Sequence, residues 1–306
     1  MTLTLPKLRL ANPVLAKDLR TRMRGSKAFI IMGVYVGLIA VMMGLSYMTW
    51  WVGNRSGMTP YLISSNMGHH LYLLLFHTQT ALVCLITPAL TAGTITLERE
   101  QRTYELLAAT RIGPRTIVMG KLLSGWLFVV MLLLSSLPVA ALCLMLGGVS
   151  LGEIFASFLM LCAFAFFFGS IGIFFSSLSG RSTVAVMLTY GAVFGYLIVT
   201  VVLQGVVNMG QVWGTAGALN PFVFVQYSTQ KLSVFSVEVP GFLPPLVGLG
   251  AMSGLLVNCA VMRLPNFFES RSGLIKAMLA VLVPVGVLVF LGEDLTGGFM
   301  LSLIHI

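Results

Sequence analysis

The chain has 306 residues, of which 58% are hydrophobic and only 9% charged, and its mean hydropathy is +0.98. An ordinary soluble domain carries about 25% charged residues, so this composition excludes one and points to a multi-pass membrane protein, in which a bilayer absorbs the apolar surface. The net charge of +9 must then be explained by where the cations lie.

The first segment of interest is "NPVLAKDLRTRMRG", residues 12–25. Asn12 suits a helix N-cap, Pro13 the first helical position and Gly25 a helix end. Leu15, Leu19 and Met23 recur at four-residue spacing, while Lys17, Arg20 and Arg24 lie away from them. That spacing predicts an amphipathic helix on the membrane surface, its cations toward anionic lipid headgroups; a plain basic tail is the other reading. The first 27 residues contain no apolar core of a cleavable signal.

Seven apolar runs follow: Ala28–Trp51, Leu71–Thr96, Leu122–Leu146, Ile154–Leu178, Thr183–Leu203, Pro245–Met262 and Gly273–Leu291. Each is close to the roughly 20 residues that a spanning helix needs. Long continuous runs are helices, because backbone groups in lipid must be satisfied within the segment, whereas barrel strands are short and alternating. The expected fold is therefore all-α: a polytopic transmembrane helical bundle of seven candidate spans with an N-terminal interfacial amphipathic helix. The seventh span requires Lys276 to reach its ammonium to the interface. Pro88, Pro138 and Pro284 lie within runs and predict kinks. Gly33–Gly37, Gly191–Gly195 and Gly250–Gly254 have the small-xxx-small spacing of membrane helix contacts.

With these spans, sixteen of the eighteen Lys and Arg residues fall on one side, and only Arg55 and Lys231 on the other. This is the positive-inside pattern, and it puts the N-terminus in the cytoplasm of a cell whose inner membrane holds the protein. No base-stacking aromatics are interleaved with the cations, so a nucleic-acid partner is not indicated. The outer connections are Val52–His70, Gly147–Glu153 and Gln204–Pro244. The last contains "ALNPFVFVQYS", residues 218–228. It is either a re-entrant hairpin dipping into the outer leaflet or a surface loop with aromatic anchors.

Chemistry-bearing groups are few. His69, His70 and His77 cluster at the start of the second span, and His70 and His77 share a helical face, but no carboxylate or cysteine stands near them in sequence. Metal ligation is not expected. Cys84, Cys143, Cys162 and Cys259 lie in separate spans and read as packing residues. Ser135, Ser136, Ser176 and Ser177 have no linked histidine, so no nucleophile is indicated. "GPRTIVMGKLL", residues 113–123, looks like a phosphate-binding loop, but six residues separate its glycines and Leu122 follows the lysine. No catalytic residues are assigned.

The densest charge is in "TLEREQRTYELL", residues 96–107, which holds Glu98, Arg99, Glu100, Arg102 and Glu105. Glu98 and Arg102 have the i,i+4 spacing of a helical ion pair. The longer stretch "LTAGTITLEREQRTYELLAATRIGPRTIVMGKLL", residues 90–123, resembles the permease subunits of ATP-binding cassette exporters of the type-2 class. "NPVLAKDLRTRMRG" and "GIFFSSLSGRSTVAVMLTY", residues 172–190, are similar to that family too, and the likeness covers residues 12 to 262.

The resemblance implies a coupling element in the cytoplasmic loop after span two, docked onto a separate ATPase. On this sequence it falls on Glu98, Arg99, Glu100, Thr103, Glu105, Leu106 and Leu107. It also implies a second permease copy or paralogue, with ATP and magnesium held by the partner ATPase and no cofactor in this chain. The resemblance implies a six-helix core, with the run at Gly273–Leu291 as a seventh span outside it. Arg102 and Arg111 depart from the family pattern, in which Gly and Pro often stand.

The expected organisation is residues 1–27 as the interfacial segment, 28–264 as the permease domain with its coupling loop at 97–121, and 265–300 as a cytoplasmic loop with the seventh span. Residues 301–306, "LSLIHI", resemble a translated sequencing adaptor and not native chain. The rival functional readings are a secondary transporter or channel that needs no ATPase, and a membrane scaffold or enzyme.

Overall fold

A computed structural model describes residues 13–23, 26–53, 60–102, 113–210, 219–227, 231–234 and 237–263. The seventh apolar run, Pro284, the tail at 301–306 and the interfacial residues Asn12, Arg24 and Gly25 lie outside the described residues.

Helix α1 covers Pro13–Met23, α2 Ser26–Gly53, α3 Pro60–Thr91 and α4 Thr94–Glu100. They are followed by α5 at Pro114–Ser135, α6 at Leu137–Leu146, α7 at Leu151–Leu178 and α8 at Ser182–Gly210. A short α9 at Phe224–Tyr227, an antiparallel pair β1 (Lys231–Val234) and β2 (Val237–Pro240), and α10 at Leu243–Arg263 complete the order. Six segments are long and apolar enough to cross a membrane: Ala28–Thr49, Asn66–Glu100, Pro114–Leu146, Leu151–Leu178, Ser182–Val202 and Leu243–Arg263. They reproduce the first six expected spans, so the chain is a polytopic helical bundle. Among the described residues the β1–β2 hairpin, in the connection before α10, is the one element the all-α expectation lacks.

Helix α7 is the centre. In its spanning window 78% of residues are buried, against 22% in α2, and it packs on α3, α5, α8 and α10. A helix that is apolar all round must be enclosed, and the aromatic run of α7 supplies Phe164, Phe167, Phe168, Phe174 and Phe175 to the core. Helix α2 instead turns Phe29, Ile30, Val34, Val41 and Leu45 outward, which suits a lipid-facing flank.

Two spans are broken. Pro88 stays within a continuous α3, and the helix stops at Thr91, past which Ala92 N–H still donates to Pro88 O at 2.9 Å. The break fits against Gly172 of α7, where a Cβ would strike the Thr91 side chain; glycine is needed for that approach. Span three divides at Ser136, with Pro138 in the first turn of α6, as a proline kink requires. The Gln79 amide of α3 meets Ser136 Oγ at this division, and both residues are buried.

Among the described residues the small-xxx-small glycines mark no close helix contact. A Cβ added at Gly33, Gly37, Gly191, Gly195, Gly250 or Gly254 would meet nothing within 4 Å.

At the end of the bundle away from α1, the first connection is shorter than expected, because α3 begins at Pro60. Ser150 starts α7 with a capping box: its Oγ accepts from Glu153 N–H at 3.2 Å, and Glu153 Oε2 accepts from Ser150 N–H at 3.3 Å. The stretch 219–227 is held against the bundle and does not stand off as a surface loop. Tyr196 Oη donates to Leu219 O at 2.6 Å, and Asn220 Nδ2 donates to Thr200 Oγ1 at 3.1 Å. Phe222 stacks on His77 with ring centroids 6.4 Å apart. These contacts pack the described part of the segment, 219–227, against α8 and α3.

Candidate functional site

The charged stretch begins inside the bundle. Gly93 precedes α4 and offers no capping side chain, so the first turn takes its cap from another helix. Ser176 Oγ, on α7, accepts from Ile95 N–H at 3.0 Å and from Thr96 N–H at 3.2 Å. The N–H groups of a first turn lack intrahelical partners, and a buried hydroxyl supplies one here.

Each of the next charged residues then meets an oppositely polarised group. Glu98 Oε1 lies 2.7 Å from Lys121 Nζ, in the second turn of α5. Lys121 is 3% exposed, an environment that an ammonium tolerates only with charge and hydrogen-bond partners. It also donates to Thr94 O at 3.2 Å and lies 3.9 Å from Asp18 Oδ2 of α1. Arg99 Nη1 donates to Ser177 O at 3.0 Å, placing a cation at the carbonyl end of α7. The Glu100 carboxylate accepts from Ser182 N–H at 2.7 Å and from Ser182 Oγ at 3.0 Å, and so caps the start of α8. Three consecutive residues thus tie α4 to α5, α7 and α8.

Helix α1 joins the same end. Val14 and Leu15 are buried, and α1 packs along α5. Arg22 Nη2 donates to Leu90 O at 2.9 Å, in the last turn of α3. Burial lowers the Arg22 pKa from its ordinary value while Asp18 raises it, and a guanidinium remains cationic throughout. Lys17 and Arg20 are exposed, and of the expected apolar stripe Leu15 is buried whereas Met23 is exposed.

Two expectations need correction. The helical ion pair between Glu98 and Arg102 has no helix to form on. α4 ends at Glu100, and Arg102 takes a φ of 56°, a left-handed turn. The loop drawn at 97–121 is shorter at both ends, since α4 occupies its start and α5 begins at Pro114. The phosphate-loop look-alike is accordingly a helix start, with Gly113 before Pro114 in the first turn and Lys121 inside the helix. Thr103, Glu105, Leu106 and Leu107 lie outside the described residues.

Sequence reasoning missed Asp18, Lys121, Ser176 and Ser182. Lys121 carried the one usable signal, a lone cation heading a long apolar run. The other groups show no such site. His70 Nε2 lies 3.0 Å from Ser46 Oγ, and His77 Nδ1 contacts Leu73 O. Among the described residues no three His, Cys, Asp or Glu side chains gather into a metal site. Ser135 and Ser177 donate to carbonyls of their own helices, and Ser136, between α5 and α6, donates to Leu133 O of α5.

A family model described as ABC-2 family transporter protein matches residues 71–262. No curated protein matches the chain. The matched region runs from the second span to the sixth and contains α4 with every partner named above except Asp18 and Arg22. The chain therefore belongs to the ABC-2 transporter family and is the membrane-spanning permease component of an ABC-type transporter.

Proposed function

We propose that this permease exports its substrate across the cytoplasmic membrane when a separate ATPase subunit docks on the segment from Glu98 to Leu107. The observation that carries the reading is the anchoring of α4. Its charged residues grip α5, α7 and α8 at once, so a force applied just beyond Glu100 reaches three spans together. A docking element needs that rigidity to move a bundle between two states. Within the segment the roles divide. Glu98, Arg99 and Glu100 hold the bundle, while Thr103, Glu105, Leu106 and Leu107 form the contact with the ATPase, which carries ATP and magnesium. Membership of the family implies association with an ABC ATPase.

A second permease copy or paralogue completes the pathway, and the outward-facing glycines of α2, α8 and α10 leave faces open to it. The N-terminus is cytoplasmic, and Lys17, Arg20 and Arg24 bind anionic lipid. The rival reading, transport without an ATPase, predicts no nucleotide-hydrolysing partner.

The test follows from the division of roles. Reversing Glu98 or Glu100 would break contacts inside the protomer, so the informative variant is Glu105→Lys with Leu106→Asp. It should fold and insert normally, because cytoplasmic charge does not oppose orientation. It should fail to retain the ATPase in a detergent pull-down, since reversed charge in a contact repels the partner. Normal recovery and stimulation of the ATPase by this variant would remove the segment from coupling.

A further inference from the structure

We infer that Lys121 is a positioning residue for coupling: it ties the interfacial helix α1 to α4, so that the two move together as one input to the bundle. This rests on the reading of α4 as the root of the ATPase-docking segment.

Lys121 reaches oxygens on two elements besides its own. Glu98 Oε1 at 2.7 Å and Thr94 O at 3.2 Å belong to α4, and Asp18 Oδ2 at 3.9 Å belongs to α1. An ammonium is a compact charge with three rotatable donors, so a single buried group can hold both helices without fixing one geometry. The grip is uneven, close on α4 and looser on α1.

Helix α1 has a second hold nearby, Arg22 on Leu90 O at 2.9 Å, just before the break from which α4 starts. Its apolar residues Val14 and Leu15 are buried as well. An amphipathic helix that served only as a lipid anchor would have no need to place an acid beside a buried lysine. Helix α2 begins at Ser26, a few residues beyond the end of α1. Displacement of α4 would therefore reach span one through α1, in addition to spans three, four and five through the direct contacts.

The tie can be measured in the full chain with its native cysteines replaced. Spin labels at Thr21→Cys on α1 and Gln101→Cys past α4, both exposed positions, report the α1–α4 distance in lipid nanodiscs. The unsubstituted pair should give a narrow distribution, Lys121→Met and Asp18→Asn a broad one, and Lys121→Arg a narrow one again. Asp18→Asn leaves the Glu98–Lys121 pair intact, so it reports on the tie even if Lys121→Met does not fold. In parallel, the ATPase subunit that co-purifies with the wild-type chain should still bind the Lys121→Met permease. Its stimulation should fall about fivefold or more, the lower end of ordinary coupling between sites, and Lys121→Arg should restore it. A narrow distribution in both Met and Asn variants would overturn the tie. Broadening with unchanged stimulation would overturn the positioning role. If no ATPase co-purifies with the wild-type chain, the coupling reading fails and the role of Lys121 in it fails too, while the distances still decide the tie itself.

Discussion

Ser176 and Ser177 are adjacent, almost fully buried hydroxyls on α7, yet they do different work. Ser176 Oγ accepts two backbone N–H groups of α4, whereas Ser177 Oγ donates to Phe174 O, a carbonyl of its own helix. Removing an acceptor from buried donors costs the desolvation of those donors, about 1–3 kcal/mol. Loss of a back-bond within a helix costs little, because that carbonyl keeps its helical partner. Ser176→Ala should therefore lower the thermal midpoint in detergent by several degrees, and Ser177→Ala should leave it nearly unchanged. Equal shifts for the two variants would mean that Ser176 is not the cap of α4. The same logic explains why acids are concentrated at Glu98 and Glu100 in a chain so short of charge. One neutralises a buried lysine and the other caps a helix, and an apolar side chain could do neither.

At the scale of elements, the segment 219–227 shows how irregular backbone is kept against a membrane bundle. In lipid every backbone group needs a partner. Here Asn220 Oδ1 accepts from Phe222 N–H at 2.9 Å, Asn220 Nδ2 donates to Thr200, and Leu219 O accepts from Tyr196. Asn220 is fully buried and links the segment to α8. Asn220→Ala would leave the Phe222 N–H and the Thr200 lone pair unmatched, and should loosen the segment without unfolding the bundle. A cysteine at Val223 in a cysteine-free background should then react with a membrane-impermeant maleimide several-fold faster in the Asn220→Ala protein. An unchanged rate would assign the hold to the Tyr196 contact and the stacking of Phe222 on His77 instead.

Across the whole molecule, Arg22, Arg99, Arg115, Lys121 and Arg181 belong to helix ends on one side of the bundle, while Lys231 lies in the hairpin between α8 and α10 on the other. This follows from an even number of crossings between successive charged loops, and it gives the cation asymmetry a definite geometric meaning. Single cysteines at Gly25 and Ser56 should label from opposite faces of the membrane, Gly25 from the cytoplasm. Labelling of both from the same face would discard this topology.

The spans were legible because their signal is local. About 20 apolar residues without charge can be little other than a membrane helix, and six of the seven runs correspond to spanning segments, with ends within five residues of the expected ones except that the third begins eight residues earlier, at Pro114. The amphipathic spacing of Leu15, Leu19 and Met23 likewise sufficed for α1. The charged stretch at 96–107 was identifiable as exceptional from composition alone, and its likeness to a family loop is the ground for the coupling role proposed for it. What its first residues do was not legible. The partners of Glu98, Glu100 and the α4 amides, namely Lys121, Ser182 and Ser176, lie between 20 and 90 residues away in sequence, and no local spacing marks such pairs. The i,i+4 pattern at Glu98 and Arg102 misled for the same reason, because the helix ends where a buried lysine and the starts of neighbouring helices claim its side chains. Periodicity and hydropathy decide which segments cross the bilayer, since each segment settles that question alone with the lipid. Only tertiary packing decides which charge answers which, since a buried ion or an uncapped helix end is satisfied by whatever the fold brings beside it.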